Sequence, residues 1–201
     1  MLLQPPPPSL ARPAPAPQVR TLVFLGDSLT AGYGLGRSES FPSLVGERIR
    51  AAGLPWRTVN AGVTGDTSAG ALARMDWILR EKPDLIFICI GSNDGLRGLP
   101  IPELERNLRA ILVRARQGGI RVALAGAMLP ENYGPGYREA FRGLFPRLAR
   151  EFRCPFLPFL LEGVAMQPGL NQADGIHPNA QGARIIAGQV WKLLEPELRK
   201  P

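Results

Sequence analysis

The sequence predicts an α/β protein, with five parallel strands in one sheet and helices covering both of its faces. Two observations carry this reading. Short runs of consecutive apolar, β-branched and aromatic residues alternate with segments whose apolar residues recur at helical spacing. Among the strand-like runs, LIFICI at 85–90 is apolar throughout rather than alternately polar, which suits a strand buried on both sides. Length sets the scale: 201 residues make one domain that buries roughly 70% of its unfolded surface and needs no disulfide or metal to fold.

Residues 1–20 hold seven of the 21 prolines and show no periodicity. They are expected to form a disordered or polyproline-type leader, leaving 21–201 as a single domain. As written, this stretch lacks the basic start and the apolar run of a signal peptide, and no run in the chain is long enough to cross a bilayer. Strands are expected at 21–25, 57–60, 85–90, 121–126 and 156–159. Between them, Phe41, Leu44, Val45, Ile49 and Ala52 share one helical face, as do Leu104, Leu108, Ile111, Leu112 and Ala115. A third stripe runs through Ala183, Ile186, Ala187, Val190, Trp191 and Leu194. A fourth, Tyr137 to Phe152, contains Pro146 and is expected to kink or break there. A less regular helix is expected over 68–80. These stripes read as core.

The net charge of +7 comes almost wholly from arginine, scattered and often beside Glu or Asp, as in Arg80-Glu81 and Glu105-Arg106. Nucleic-acid binding needs a clustered basic face, so no nucleic-acid partner is expected. Cys89 lies inside an apolar run and Cys154 precedes a proline. Two cysteines so far apart make no metal motif, and no metal, cofactor or disulfide is expected.

Four stretches at strand ends carry polar chemistry. The first is Gly26-Asp27-Ser28, where the run 21–25 breaks into a turn; read alone, it caps a helix. The second, NAGVTGDT at 60–67, places Gly65 in a turn before a helix start, where a glycine can aim its N–H outward. The third, IGSNDG at 90–95, offers the uncharged amide of Asn93, which suits a developing oxyanion. The fourth, ADGIHPN at 173–179, holds His177, the only histidine. A serine nucleophile needs a base, and Asp174, three residues before this imidazole, can fix its tautomer. Pro178 is expected to open the last helix at its first position.

Together GDSLT, VTGD, GSND and DGIHPN, in this order, resemble the SGNH (GDSL) hydrolase family over about residues 21–195. NDGLRG (93–98) and LPENYG (129–134) look like its multifunctional thioesterase I, lysophospholipase and arylesterase branch from Gram-negative bacteria. The resemblance implies a flavodoxin-like, three-layer α/β/α fold. It implies Ser28 as nucleophile, His177 as base and Asp174 as its orienting acid. The implied oxyanion hole consists of the Ser28 N–H, the Gly65 N–H and the Asn93 side chain. The G-x-S-x-G elbow of α/β-hydrolases is absent.

Substrates implied by the branch are acyl thioesters, lysophospholipids and aryl esters, hydrolysed without a cofactor by a monomer not inserted in a membrane. Asp27, Leu29, Asp94, Leu96, Leu99, Tyr133 and Ile176 are expected to contact substrate. Within that set, Leu96 and Leu99 sit on a mobile loop after Asn93, with 130–136 as the opposite wall. Exported relatives imply a periplasmic or secreted setting, although the N-terminus shows no signal and a cytoplasmic one stays open. Two rivals remain: a carbohydrate acetylesterase built on the same blocks, and a non-catalytic domain binding flavin or another ligand on the same sheet.

Overall fold

The computed structural model describes residues 18–201, so residues 1–17 of the expected leader lie outside the described residues. Strand β1 (Arg20–Gly26) is central, paired in parallel with β2 (Trp56–Gly62) on one side and β3 (Leu85–Cys89) on the other. Strands β4 (Arg121–Ala125) and β5 (Phe156–Leu157) complete the order β2-β1-β3-β4-β5, all parallel. β1 takes in Arg20, which pairs with Trp56, one residue earlier than expected. β5 is shorter than the expected 156–159, because Pro158 cannot donate to the ladder.

Alternation along the strands sorts the core into two layers. Leu22, Phe24, Leu85 and Phe87 face α2 (Phe41–Ala51) and α8 (Ala180–Leu198). There Phe24 meets Phe41 and Phe87 edge to face, with centroids 5.7 and 5.8 Å apart. Val23, Leu25, Ile86 and Ile88 face the other layer: α3 (Ser68–Ala73), α4 (Met75–Arg80), α6 (Ile101–Gln117) and α7 (Pro135–Glu151). The three-layer α/β/α architecture is as expected.

Helical details differ. The segment 68–80 is two short helices, with Arg74 (φ −97°, ψ 10°) as the joint between them. Helix α7 runs through Pro146 without a break; the carbonyl that loses its donor belongs to Arg142, an exposed residue on the solvent side of the helix. Phe141, Leu144, Phe145 and Leu148 anchor both halves of α7 in the core. Helix α8 begins at Ala180, and its cap is Asn179, whose side chain accepts from the N–H groups of Gln181 and Gly182. Pro178 therefore sits before the helix, not at its first position. The expected loop after Asn93 begins as helix α5 (Ser92–Leu96).

The site lies where the order reverses. The chain leaves β1 toward β2, then crosses back to β3, opening a crevice at the carboxyl ends of β1 and β3.

Candidate active site

β1 ends at Gly26, and the chain folds back at once into the one-turn helix α1 (Ser28–Ala31). A Cβ on Gly26 would overlap the Thr30 hydroxyl and the Cys89 carbonyl, so only glycine permits so sharp a turn. Asp27 caps α1: its Oδ1 accepts the Leu29 N–H at 3.0 Å. Ser28 thereby stands at the first helical position, 8% exposed.

The loop before α8 brings the imidazole to it. Asp174 Oδ1 accepts the N–H groups of Ile176 (2.9 Å) and His177 (3.0 Å), closing a turn that swings the ring back over the acid. Asp174 Oδ2 lies 2.7 Å from His177 Nδ1, and His177 Nε2 lies 2.9 Å from Ser28 Oγ. An acid at Nδ1 requires the hydrogen there, leaving Nε2 to accept from the serine hydroxyl. The His177 backbone N–H, then its imidazole and the Ile176 N–H, hold the Asp174 carboxyl down at about 2.

Gly65 has φ +78°, the left-handed turn that L side chains avoid. Neither its N–H nor that of Ser28 donates a hydrogen bond among the described residues. Asn93, in the first turn of α5, donates one Nδ2 hydrogen to the Asp66 carbonyl at 2.8 Å. That acceptor fixes which end of the amide is nitrogen. Its second hydrogen has no acceptor among the described residues. The crevice thus gathers a serine hydroxyl, an imidazole bonded to a carboxylate, and three N–H donors.

Two of the residues expected to contact substrate are turned inward. Asp27 is 1% exposed and serves as the helix cap. Its burial pushes the carboxyl up to about 6, against the Leu29 N–H and the nearby imidazole, which lower it. Asp94, 3% exposed, binds the Ser68 N–H (2.8 Å) and takes the Ser68 hydroxyl hydrogen (2.5 Å). Asn107 donates to that hydroxyl from behind. Asp94 therefore locks the start of α3 to α5 instead of meeting substrate. Of the other five, Leu29 lines the small cavity beside Ser28 and His177, and Leu96, Leu99 and Ile176 are exposed. Tyr133 donates its hydroxyl to the Leu96 carbonyl at 2.7 Å, and Tyr137 does the same to Leu99. The segment expected to be mobile is thus tied at two points.

Two further residues escaped the sequence reading. The Tyr33 ring lies 4.7 Å from the His177 ring, tilted by 43°; the only signal was an aromatic between two glycines, Gly32 and Gly34, both with positive φ. Gln172 donates its N–H to the His177 carbonyl (2.8 Å) and its amide to the carbonyls of Tyr33 (2.7 Å) and Pro178 (2.9 Å). It stitches the serine segment to the histidine loop, and a lone glutamine in a loop gives no sign of this. No group of three metal-ligating side chains occurs among the described residues.

Residues 24–185 match the GDSL-like lipase/acylhydrolase family. The chain belongs to that family. Esterase TesA of Pseudomonas aeruginosa is 43% identical over 180 residues, covering 89% of this chain and 90% of that protein. Thioesterase 1/protease 1/lysophospholipase L1 of Escherichia coli K12 is 40% identical over 177 residues, 88% of this chain and 84% of that one. A solved structure described as the crystal structure of TesA superposes with a TM-score of 0.85 at 43% identity, over 88% of this chain and 99% of its own. The GDSL-like match begins in β1 and ends in α8, and so spans all four strand-end stretches.

Proposed function

We propose that this chain is a serine esterase that hydrolyses acyl esters and thioesters, of the arylesterase, thioesterase and lysophospholipase type. The observation that carries the reading is the unbroken line from Asp174 through His177 to Ser28, at 2.7 and 2.9 Å. Ser28 Oγ attacks the acyl carbonyl as its proton passes to His177 Nε2. The carbonyl oxygen gathers charge and is held by the Ser28 N–H, the Gly65 N–H and the second Asn93 hydrogen. Protonated His177 gives its proton to the departing alkoxide or thiolate. Water then attacks the acyl-serine, losing a proton to His177, and the acid leaves with Ser28 restored. Asp174 stays ionised throughout and steadies the imidazolium.

Leu29, Leu96, Leu99, Tyr133 and Ile176 form the acyl-binding wall in this reading. The exposure of Leu96, Leu99 and Ile176 favours acyl chains over sugar acetates in this reading. We place the enzyme in the periplasm or outside the cell, as a monomer, on the sequence resemblance alone; among the described residues no helix is long and apolar enough to cross a membrane. The test is hydrolysis of p-nitrophenyl esters of increasing chain length, wild type beside Ser28→Ala. Loss of roughly 10³-fold or more in kcat/KM supports the nucleophile. Equal turnover by both proteins refutes it, and a profile confined to acetate moves the reading to a carbohydrate acetylesterase.

A further inference from the structure

The proposed oxyanion donors sit on α1 directly after β1, on the Gly65 turn and on α5. Besides the bonds from the Val63 N–H to the Gly26 carbonyl (3.0 Å) and from Arg97 to the Gly65 carbonyl (2.9 Å), these segments are linked by an ion pair that touches no reacting atom. Arg74, at the joint between α3 and α4, donates Nε to Asp66 Oδ2 at 2.8 Å and a terminal nitrogen to the Gly26 carbonyl at 3.0 Å. The pair is largely enclosed, with side chains 19% and 10% exposed. Asp66 follows Gly65 directly; its Oδ1 accepts the Thr67 N–H at 3.0 Å, and its carbonyl receives the Asn93 amide at 2.8 Å.

We infer that Arg74, acting through Asp66, is a positioning residue for the oxyanion hole: it fixes the Gly65 turn between β1 and Asn93 so that all three donors converge on one point. This rests on the esterase reading above. The geometry explains why an arginine is used. The planar fork reaches a carboxylate and a carbonyl on different segments at once, whereas a lysine would meet them with a single nitrogen. It also explains the break between the helices. In one continuous helix over 68–80, the side chain at 74 would project along the helix flank; at the joint it turns back eight residues to Asp66. Asp94, bonded to the N–H and hydroxyl of Ser68, braces the same turn from its other end.

Such a residue acts on the transition state and not on the bound ester, because the donors matter only as charge develops on the oxygen. Arg74→Met is therefore expected to lower kcat by roughly 10–100-fold on p-nitrophenyl butyrate, with KM within about threefold. Arg74→Lys should recover part of the loss. The deciding readout is the cycle with Asn93→Ala. If Arg74 works by holding Asn93 and the Gly65 turn together, Arg74→Met should cost at least about threefold less in the Asn93→Ala background than in the wild type. Urea midpoints monitor folding, and Asp66→Asn, which keeps the backbone carbonyl and an oxygen acceptor, enters the same cycle should Arg74→Met not fold. An undiminished kcat, a loss confined to KM, or the same fold-loss in the Asn93→Ala background would each overturn the inference. If Asn93→Ala alone leaves kcat unchanged, the oxyanion assignment itself falls, and Arg74 loses its role with it.

Discussion

Replacing Asp27 with asparagine is expected to stabilise the protein at neutral pH and to leave its stability nearly unchanged at pH 4. The Asp27 carboxyl is 1% exposed; Oδ1 accepts one backbone N–H, and Oδ2 has no donor among the described residues. Burial lifts it from the ordinary 3.8 to about 6 in the folded chain. Between those values the folded protein holds a proton that the unfolded chain has released, so stability falls as pH rises from about 4 to 6 and then levels off. At about 1.4 kcal/mol for each tenfold change in dissociation constant, the ionised group costs about 3 kcal/mol. Asparagine has the same shape, keeps the Oδ1 cap on Leu29 and carries no charge. Urea unfolding of both proteins from pH 4 to 8 should show curves that converge at the acid end and separate by up to about 3 kcal/mol at pH 8. A domain of this size would then gain roughly 6–12 °C in Tm at pH 8. Parallel curves, or a gap that widens toward acid, would refute the reasoning.

Four other outcomes are expected. Asn93→Ala should lower kcat by about 10²–10³-fold, the size found for single oxyanion donors, with circular dichroism checking that α5 survives. Because the Asp174 carboxyl is held at about 2, it stays ionised down to about pH 3. An NMR titration of the Asp174 carboxyl should therefore show no proton uptake above about pH 3, and a step between about pH 4 and 6 would refute this. Asp174→Asn, which presents an amide to Nδ1 and favours the wrong tautomer, should lose roughly 10³–10⁴-fold in kcat. Trp56→Phe removes the buried indole donor to the Leu198 carbonyl at 3.0 Å; a loss of about 1 kcal/mol in urea unfolding is expected.

What was readable in the chain follows from how local each cause is. Strands such as 85–90 announce themselves because both faces are buried, so nearly every residue is apolar. Asp174 and His177 are three residues apart and make their own turn, so their partnership can be read directly. Ser28 was legible because the apolar run stops beside it. The inward turn of Asp94 was not, since its direction depends on a distant backbone N–H, that of Ser68, 26 residues away. Arg74 and Gln172 were missed for the same reason, each bridging segments far apart in sequence. Pro146 misled because a proline ends a helix only where the freed carbonyl has no other partner and packing does not hold both halves.

The two ends of the described chain are joined at the opposite pole of the molecule from Ser28. Arg20 donates to the carbonyls of Leu198 and Lys200 and lies over the Trp56 ring at 4.5 Å. β1 then runs seven residues to the turn, about 20 Å at the usual strand rise. A fusion partner or an immobilising tag added after Pro201 leaves from the rear. An enzyme held by that end would present its crevice outward, toward the medium that brings the ester.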